Sequence, residues 1–406
     1  MNDPILVINC GSSSIKYALV PVGADEPRLS GIVERLGGHD ARLTARDQRG
    51  QRLTLELPRA NHASALKTIF ETLGGQRPIA IGHRVVHGGE RFTDATLLDD
   101  TVIRTVRQMI NLAPLHNPAN LDGITIARRL FTGLPQVAVF DTAFHQTLPD
   151  YAYRYAVPAE WYDKHAIRRY GFHGTSHAYI AGRLAKVSPN GRGGWVIAHL
   201  GNGCSATAVH AGKSLDTSMG LTPLEGLVMG TRCGDVDPGL PHHLAQRFGW
   251  SMEHIERLFN QKSGLLGLSE LSNDMRELEH AEAQGHQGAK LAIEVFCYRL
   301  AKSIASLSCA LPSFDGVAFT GGIGENSATI RARTLAYLGN VDLMLSTSAN
   351  QQLPRGAEGR IDTGQGRELW VIPTDEEGHI AAETRRLLED LKRHDEVSAK
   401  IIEDLS

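Results

Sequence analysis

The chain has 406 residues and a formal net charge of −3, with 42 Lys or Arg residues against 45 Asp or Glu residues. This length predicts two or three domains, at roughly 100–200 residues each, and a pI near 6.7 argues against a general nucleic-acid binder or a basic membrane-surface protein. Glycine is in excess: its 42 residues are about 10% of the chain, against a typical ~7%. The excess predicts backbone that turns sharply or approaches a ligand closely.

Cysteine usage and the amino terminus predict a reduced, cytoplasmic protein. The five cysteines are scattered and form no Cys-x-x-Cys pair, so we expect no disulfide scaffold. The first apolar run, Ile5–Ile8, is short and follows no basic segment, and no stretch approaches 18 apolar residues. We therefore expect neither a signal peptide nor a membrane-spanning helix.

The pattern of apolar runs and turn residues predicts alternating strands and helices. In chain order, we expect a hairpin of strands Ile5–Asn9 and Ile15–Val20, a helix Ala63–Thr72, an apolar run Ile79–Val86, a helix Asn120–Leu130, a strand Gln136–Phe140, an irregular domain crossing Tyr151–Tyr170, a strand Trp195–His199, a helix Ala289–Leu311, and strands Gly316–Thr320 and Leu369–Pro373. A capping box of Thr374 and Glu377 precedes a charged amphipathic stretch, Ile380–Ser406, predicted as one helix or two. This alternation is typical of α/β layers.

A faint internal repeat relates the first hairpin to a later one. When Gly11 is placed over Gly201, Ile5–Ile8 falls over Trp195–Ala198, and both runs continue into a polar glycine turn and a second strand. One interpretation is chance similarity between two hairpins. The other is that two related halves each present a turn to one ligand between them.

Three glycine-rich segments follow apolar strands: Gly11–Ser14, Gly201–Gly203 and Gly321–Gly324. Short side chains and exposed N–H groups at such turns form anion-binding sites, and several of them at strand ends suggest a polyphosphate. Lys16 lies just beyond the first segment. Two standard motifs fail: Thr207 stands where a P-loop needs glycine, and the G-x-G-x-x-A run from Gly201 continues as a strand and does not open a helix.

Four positions are candidates for charge recognition, each with a plain structural alternative. Arg84 lies in an apolar run, so it needs either a structural carboxylate or a substrate anion. Arg232, between glycines, is either a surface arginine or a group that stabilises phosphoryl transfer. Asp141 ends a strand, as an active-site carboxylate or a turn residue does. Glu376, with its neighbour Glu377, either complements a helix dipole or binds magnesium.

The histidines and serines do not match common catalytic motifs. His173 and His177 have the i, i+4 spacing of zinc ligands, but Gly174 replaces the glutamate of H-E-x-x-H, which disfavours zinc. Ser12–Ser14 is not a G-x-S-x-G turn, so a serine hydrolase has no support.

Several motifs together resemble the acetate/propionate kinase family. Val7–Lys16 and Gly171–His177 look like its two signatures, and Asp216–Gly220, Thr222–Gly226 and Gly322–Asn326 match as well. The resemblance extends from about residue 5 to residue 385. It implies an α/β, two-lobed fold of the type shared by acetate and sugar kinases, heat-shock chaperone ATPases and actin, with a duplicated ribonuclease-H-like β-sheet core.

The resemblance also implies residue roles. It assigns catalysis to Asp141, Arg84, Arg232 and His173, places His116 and His199 along the cleft, and implies an acetate pocket made by Arg84, Val86, Leu115, Phe172 and Pro223. It implies nucleotide binding by Ser12, Ser14, Lys16, His199, Leu200, Gly201, Asn202, Gly203, Asp274, Met275, Arg276, Gly322, Ile323, Gly324 and Asn326. It assigns Mg²⁺ or Mn²⁺ to Asn9 and Glu376. Asp375 departs from the family's usual asparagine, and its charge either tightens the metal or caps the helix.

The implied function is reversible, magnesium-dependent phosphorylation of acetate by ATP, giving acetyl phosphate and ADP, with propionate as the alternative acceptor. Rivals of the same fold are a sugar kinase, in which Asp141 would act as a base, and a non-enzymatic nucleotide switch. The resemblance implies a homodimer, while the charge balance and the short apolar runs lead us to expect no nucleic-acid or membrane partner. It implies an N-terminal lobe of residues 1–147 plus 380–406, and a C-terminal lobe of residues 148–379 with the nucleotide-binding and dimer surfaces.

Overall fold

The computed structural model describes residues 3–21, 27–113 and 116–404. The chain forms two compact units: unit 1 comprises Met1–Phe144 and Asp375–Ser406, and unit 2 comprises His145–Thr374. The resemblance implied divisions at residues 147 and 379, against 144 and 374 here. None of the described helices is long and apolar enough to cross a membrane.

Runs of strands and runs of helices follow one another along the described chain. The strands are β1 Ile5–Cys10, β2 Ser14–Val20, β3 Leu29–Glu34, β4 Arg42–Asp47, β5 Arg52–Glu56, β6 Ala80–Val85, β7 Thr96–Leu97, β8 Gln136–Phe140, β9 Gly194–Leu200, β10 Cys204–His210, β11 Lys213–Thr217, β12 Gly316–Thr320, β13 Gly359–Arg360 and β14 Glu368–Val371. The helices are α1 His62–Thr72, α2 Asp100–Gln108, α3 Asn117–Leu130, α4 Asp150–Tyr153, α5 Ala159–His165, α6 Gly174–Val187, α7 Leu240–Phe248, α8 Met252–Gln261, α9 Gly264–Ser269, α10 Met275–Ala283, α11 Gln287–Ser308, α12 Gly321–Asn326, α13 Ala328–Ala336, α14 Thr347–Gln352 and α15 Glu376–Asp404. Single 3-10 turns cover Ile110–Leu112 and Ala143–Thr147.

Unit 1 is built on one mixed sheet in the order β5-β4-β3-β2-β1-β6-β8-β7. β1 and β2 pair antiparallel as a hairpin, while β6 and β8 join β1 in parallel. Helix α3 packs closely on β1, since a Cβ on Gly123 would lie 2.4 Å from Cys10 Sγ. Helix α15 packs on β6, since a Cβ on Gly82 would lie 2.6 Å from Thr384 Oγ1. Buried aliphatic side chains fill both contacts, so apolar burial fixes these helices on the sheet.

Unit 2 repeats this arrangement in the order β11-β10-β9-β12-β14-β13. The hairpin β9–β10 is antiparallel, and β12 and β14 extend it in parallel. The central strands of both sheets therefore have the same connectivity and direction, which favours two related halves over chance similarity as the interpretation of the aligned hairpins. The sheet is duplicated in structure as well as in sequence.

The structure corrects three local predictions. Gly321–Gly324 does not form a turn but begins α12, where the Glu325 carboxylate accepts a hydrogen bond from Gly321 N at 2.8 Å. The stretch Tyr151–Tyr170, predicted as irregular, contains the two short helices α4 and α5. The cap of the last helix is Asp375 and not Thr374, because Gly378 N donates to Asp375 Oδ1 at 2.8 Å. The final stretch is one helix, α15.

Candidate active site

The parallel strands of unit 1 bring three predicted residues to the same edge of the sheet. Asn9 lies near the end of β1, Arg84 near the end of β6, and Asp141 directly after β8. Arg84 Nε donates to Asp141 Oδ1 at 3.1 Å and Nη2 donates to Oδ2. Arg84 Nη1 donates to Asn9 Oδ1 at 3.4 Å. The partner that an arginine in an apolar run requires is therefore a carboxylate of the same unit, held in a two-pronged ion pair.

Carboxylates dominate the electrostatics around Arg84. Asp141 is 1% exposed, whereas 20% of the Arg84 side chain is exposed. Burial disfavours the charged form of Arg84 and lowers its pKa. The negative charges of Asp141, Glu376 and Glu377 together have the larger effect, so the pKa of Arg84 lies above its ordinary value. Burial also raises the pKa of Glu377, and the charges of Glu376 and Asp375 raise it further against the opposing effect of Lys16. We call Asn9, Arg84, Asp141, Glu376 and Glu377 the Arg84 cluster.

The first glycine segment forms the hairpin turn between β1 and β2. Gly11 N donates to Ser14 O at 2.8 Å, which closes the turn. Ser12 and Lys16 are exposed, Ser14 is partly buried, and Lys16 pairs with Asn9 across the two strands. The turn thus presents hydroxyl groups and an amine close in sequence to the Arg84 cluster.

The side-chain oxygens of the Arg84 cluster are donors of the kind that would suit a magnesium ion. Asn9 supplies an amide oxygen and Glu376 a carboxylate, and the neighbouring carboxylates of Glu377 and Asp375 add negative charge. Among the described residues, no group of three or more His, Cys, Asp or Glu side chains is arranged to hold a metal ion. Mg²⁺ commonly uses one or two carboxylates together with water and substrate phosphates, so this donor set suits it.

In unit 2, a second set of predicted residues converges on Gly203, in the turn between β9 and β10. A Cβ at this position would lie 2.5 Å from Arg232 Nη2 and 3.3 Å from His173 Nε2. Arg232 is held in place by the hydrogen bond from its Nη1 to Pro223 O at 2.6 Å, while burial lowers its pKa. A side chain at position 203 would force Arg232 Nη2 to move, so glycine leaves room for both the Arg232 and the His173 side chains.

His173 has an unusual backbone. It precedes α6 with a φ of +57°, in the left-handed region, which non-glycine residues rarely adopt outside functional or strained sites. Its ring lies 4.4 Å from that of His199, and its Nδ1 lies 2.9 Å from Ser205 Oγ. His199 Nδ1 lies 2.8 Å from Ser176 Oγ. We call Gly203, Arg232, His173, His199 and Ser205 the Gly203 cluster.

A pocket of about 500 Å³ opens beside this cluster in unit 2. Its lining includes eight residues that sequence predicted for nucleotide binding: Gly201, Asn202, Asp274, Met275, Arg276, Gly322, Ile323 and Asn326. Asn202 is oriented by Asn273, whose Nδ2 donates to its Oδ1 at 3.0 Å. The size of the pocket, and the glycine backbone along its wall, suit a small ligand with a polar tail.

The pocket also contains residues that the sequence did not single out: Asn273, Glu279, Ser327 and Arg355. Asn273 and Ser327 are direct neighbours of predicted residues, and Glu279 follows Met275 by four positions on α10, so chain proximity was an available signal. Arg355 lies after α14 and carries no local signal.

Other predicted residues lie outside this pocket. Leu115 falls outside the described residues. Val86 belongs to unit 1 and is buried, while Phe172, also buried, and Pro223 belong to unit 2. Leu200, at the end of β9, contacts the start of α12 through the backbone of Gly321, and Gly324 also packs on Leu200. His116 precedes α3 in unit 1.

The chain is similar to known proteins in both sequence and fold. The model of the Acetokinase family matches residues 4–382. A Pseudomonas aeruginosa protein named acetate kinase is 57% identical over 390 residues, covering 95% of this chain and 99% of that protein. The crystal structure of Porphyromonas gingivalis acetate kinase superposes with a TM-score of 0.90 at 40% identity, over 95% of this chain and 100% of that one. A propionate kinase from Francisella tularensis gives a TM-score of 0.90 at 42% identity, over 95% and 99%.

The duplicated mixed sheet and the overlap with these structures define a kinase of the acetate and sugar kinase and actin type, as the sequence motifs predicted. The chain belongs to the acetokinase family. Enzymes of this family are phosphotransferases that use ATP and ADP.

Proposed function

We propose that this protein transfers the γ-phosphoryl group of ATP to acetate, reversibly, in a single in-line step. A carboxylate oxygen of acetate forms a bond to the γ-phosphorus, the bond from that phosphorus to its bridging oxygen breaks, and ADP leaves with the electron pair. Acetate is ionised at neutral pH, so the step needs no general base. The observation that carries the proposal is the convergence of Arg232 Nη2 and His173 Nε2 on Gly203.

Unit 2 would bind the nucleotide and stabilise the transferred group. The pocket beside Gly203 would hold the adenosine and its phosphates, with backbone N–H groups of the glycine segments facing phosphate oxygens. Arg232 and His173 would then donate to the equatorial oxygens of the γ-phosphoryl group, where charge develops during transfer. The bond from Arg232 to Pro223 O supports this role, because a fixed donor needs no reorganisation at the moment of reaction.

Unit 1 would supply the groups for the acceptor and the metal. Arg84 would bind the carboxylate of acetate, and Asp141 would hold its guanidinium in the required orientation through the two-pronged ion pair. Asn9 and Glu376 would hold Mg²⁺ or Mn²⁺, and Ser12, Ser14 and Lys16 would contact phosphate oxygens. The metal, when bound, would neutralise charge on the β- and γ-phosphates. Asp375 would act as the cap of α15, because its Oδ1 accepts a hydrogen bond from Gly378 N.

Acetate is the proposed acceptor over propionate. Val86 would leave little room for an additional methylene, because it is buried and its N–H donates to Asn120 Oδ1 at 3.0 Å. A single methylene discriminates by ~10–200-fold in kcat/KM. Propionate remains the second candidate, because one structure with a TM-score of 0.90 is named a propionate kinase.

We further propose a cytoplasmic homodimer. All five cysteines are free thiols, three of them buried, which suits a reducing compartment. Exposed apolar residues on unit 2, including Leu291 and Tyr298 on the face of α11, offer a surface for a second copy.

The test is acyl phosphate formation, trapped by hydroxylamine as the hydroxamate. The enzyme is incubated with ATP and Mg²⁺ and with acetate, propionate or butyrate, while ADP release is followed in parallel with glycerol or glucose. We expect acetate to give the highest kcat/KM. Faster ADP release with a hydroxyl acceptor would indicate a sugar kinase, and slow ADP release that no acceptor stimulates would indicate a nucleotide switch.

A further inference from the structure

Ser205 lies behind His173 and joins it to a second histidine. The serine is on β10 and is fully buried. Its Oγ lies 2.9 Å from His173 Nδ1 and 2.8 Å from Nε2 of His177. A serine hydroxyl has one proton, so it can donate to one imidazole and must accept from the other. The direction of these two hydrogen bonds decides which nitrogen of His173 carries a proton.

The surroundings of His177 favour one direction for these hydrogen bonds. His177 is fully buried, and its Nδ1 has no hydrogen-bond partner among the described residues. Burial, with His145 and His199 nearby, lowers the pKa of His177 well below its ordinary value, so the ring is neutral and carries one proton. A proton on Nδ1 would be a buried donor without an acceptor, which native structures rarely contain. The proton therefore belongs on Nε2, which donates to Ser205.

The role of His173 requires the same direction for these hydrogen bonds. His173 Nε2 faces the space at Gly203 that Arg232 Nη2 also faces. An anionic oxygen placed there needs donors, so Nε2 must carry a proton, and Nδ1 of a neutral His173 must then accept a hydrogen bond.

We propose that Ser205 is a positioning residue for His173. Its hydroxyl accepts from His177 Nε2–H and donates to His173 Nδ1, which fixes His173 as the Nε2–H tautomer with that N–H directed at the transferred phosphoryl group. The role in transfer rests on the proposed function, whereas the tautomer is a property of the protein without substrate. Ser205 and His177 are both fully buried, and the hydrogen bonds of Ser205 connect His177 to His173.

The first test reads the tautomer directly. In the enzyme labelled with ¹⁵N-histidine and without nucleotide, at a pH where the histidines are neutral, we expect His173 Nδ1 to give the signal of an unprotonated nitrogen and Nε2 that of an N–H. His173→Gln assigns the signals. Ser205→Ala is expected to convert His173 to a mixture of both tautomers. An unchanged His173 signal in Ser205→Ala would overturn the proposal, and this readout is independent of whether acetate is the acceptor.

The second test uses kinetics. Ser205→Ala should lower kcat by ~10–100-fold, the range seen when a partner that orients a histidine is removed, and leave KM for ATP nearly unchanged. In the His173→Gln background, Ser205→Ala should cause no further loss, because its effect acts only through His173. Equal losses in the two backgrounds would contradict the proposal.

Three further variants keep the test independent of folding defects. Ser214→Ala is the matched control, since Ser214 is also fully buried and its Oγ bonds a buried imidazole, His145 Nδ1, at 2.9 Å. It should leave the His173 tautomer unchanged. His177→Gln retains a donor toward Ser205 and should resemble the wild type, whereas His177→Leu should resemble Ser205→Ala. The reverse order of these two variants would refute the assigned direction.

Discussion

Replacing Asp141 with asparagine should displace Arg84 without removing it. The aspartate is 1% exposed and accepts two bonds from the guanidinium. Asparagine keeps the volume and one acceptor oxygen, but it places an amide N–H₂ group against Arg84 Nη2 and removes the negative charge. The variant therefore separates the orientation of Arg84 from its presence.

The structure sets the expected size of two effects of Asp141→Asn, the loss of stability and the loss of activity. Removing one partner of a buried ion pair costs about 3–5 kcal/mol. We expect the lower end, about 3 kcal/mol in the free energy of unfolding, because 20% of the Arg84 side chain is exposed and Glu376 and Glu377 also face it. A displacement of about 1 Å in a positioning group lowers the rate by roughly 10²-fold, so kcat/KM for acetate should fall by about that factor.

Urea unfolding and steady-state hydroxamate formation measure these effects. Asp362→Asn is a matched control: Arg360 donates to both carboxylate oxygens of Asp362, at 2.6 Å and 2.9 Å, and neither residue belongs to the candidate site. It should lower stability and leave kcat/KM largely unchanged. Arg84→Ala should lose more activity than Asp141→Asn, and the double variant no more than Arg84→Ala alone.

The pH profile decides between orientation and base catalysis. If Asp141 only orients Arg84, Asp141→Asn should lower kcat/KM by one factor across the pH range. Loss of an acidic limb of the profile, together with transfer to a hydroxyl acceptor, would show that Asp141 is a general base and would refute the reasoning above.

Two other predictions follow from the same geometry. Arg232→Ala should lower kcat/KM by roughly 10³–10⁵-fold, or on the order of 4–7 kcal/mol, as for other arginines that stabilise phosphoryl transfer; near-normal kcat/KM would show that its convergence with His173 has no catalytic role. Stability should fall in mild acid. Burial lowers the pKa of His83, His87 and His145 to about 4, against about 6.5 in the unfolded chain. Between these values the unfolded state binds more protons, so the stabilisation is complete above pH ~6.5 and is lost as pH falls toward ~4, at most about 3 kcal/mol for each group. A free energy of unfolding that stays constant from pH 7 to pH 5 would contradict this.

Much of the fold could be predicted from local sequence. The strands Gln136–Phe140 and Gly316–Thr320 have the predicted bounds, because short apolar runs between polar or glycine-rich segments are typical of buried strands. The internal repeat was visible because strand, glycine turn and strand recur in both halves. Arg84 and Asp141 lie at the ends of parallel strands. Because the ends of parallel strands lie at one edge of a sheet, the two residues could be expected to lie close together.

The remaining features depend on contacts between distant positions. A glycine-rich run after an apolar strand predicts a turn at Gly321–Gly324, but Glu325 accepts hydrogen bonds from Gly321 N and Thr374 N and so stabilises the start of α12. Ser205 has no local sequence signal for its role, since its two histidine partners lie 32 and 28 positions away in the chain. Arg355 reaches the pocket from a loop with no motif of its own.

The most direct measurement of the proposed function is the fate of isotope in the acceptor. The enzyme is supplied with ATP, Mg²⁺ and acetate labelled with ¹⁸O in both carboxylate oxygens, and the acyl phosphate is analysed by ³¹P NMR and mass spectrometry. Direct attack of acetate on phosphorus predicts acetyl phosphate that retains both labels, one of them in the bridge to phosphorus, at a rate that exceeds transfer to propionate. Unlabelled bridging oxygen, or ADP formed without any acyl phosphate, would contradict transfer of the phosphoryl group to the carboxylate.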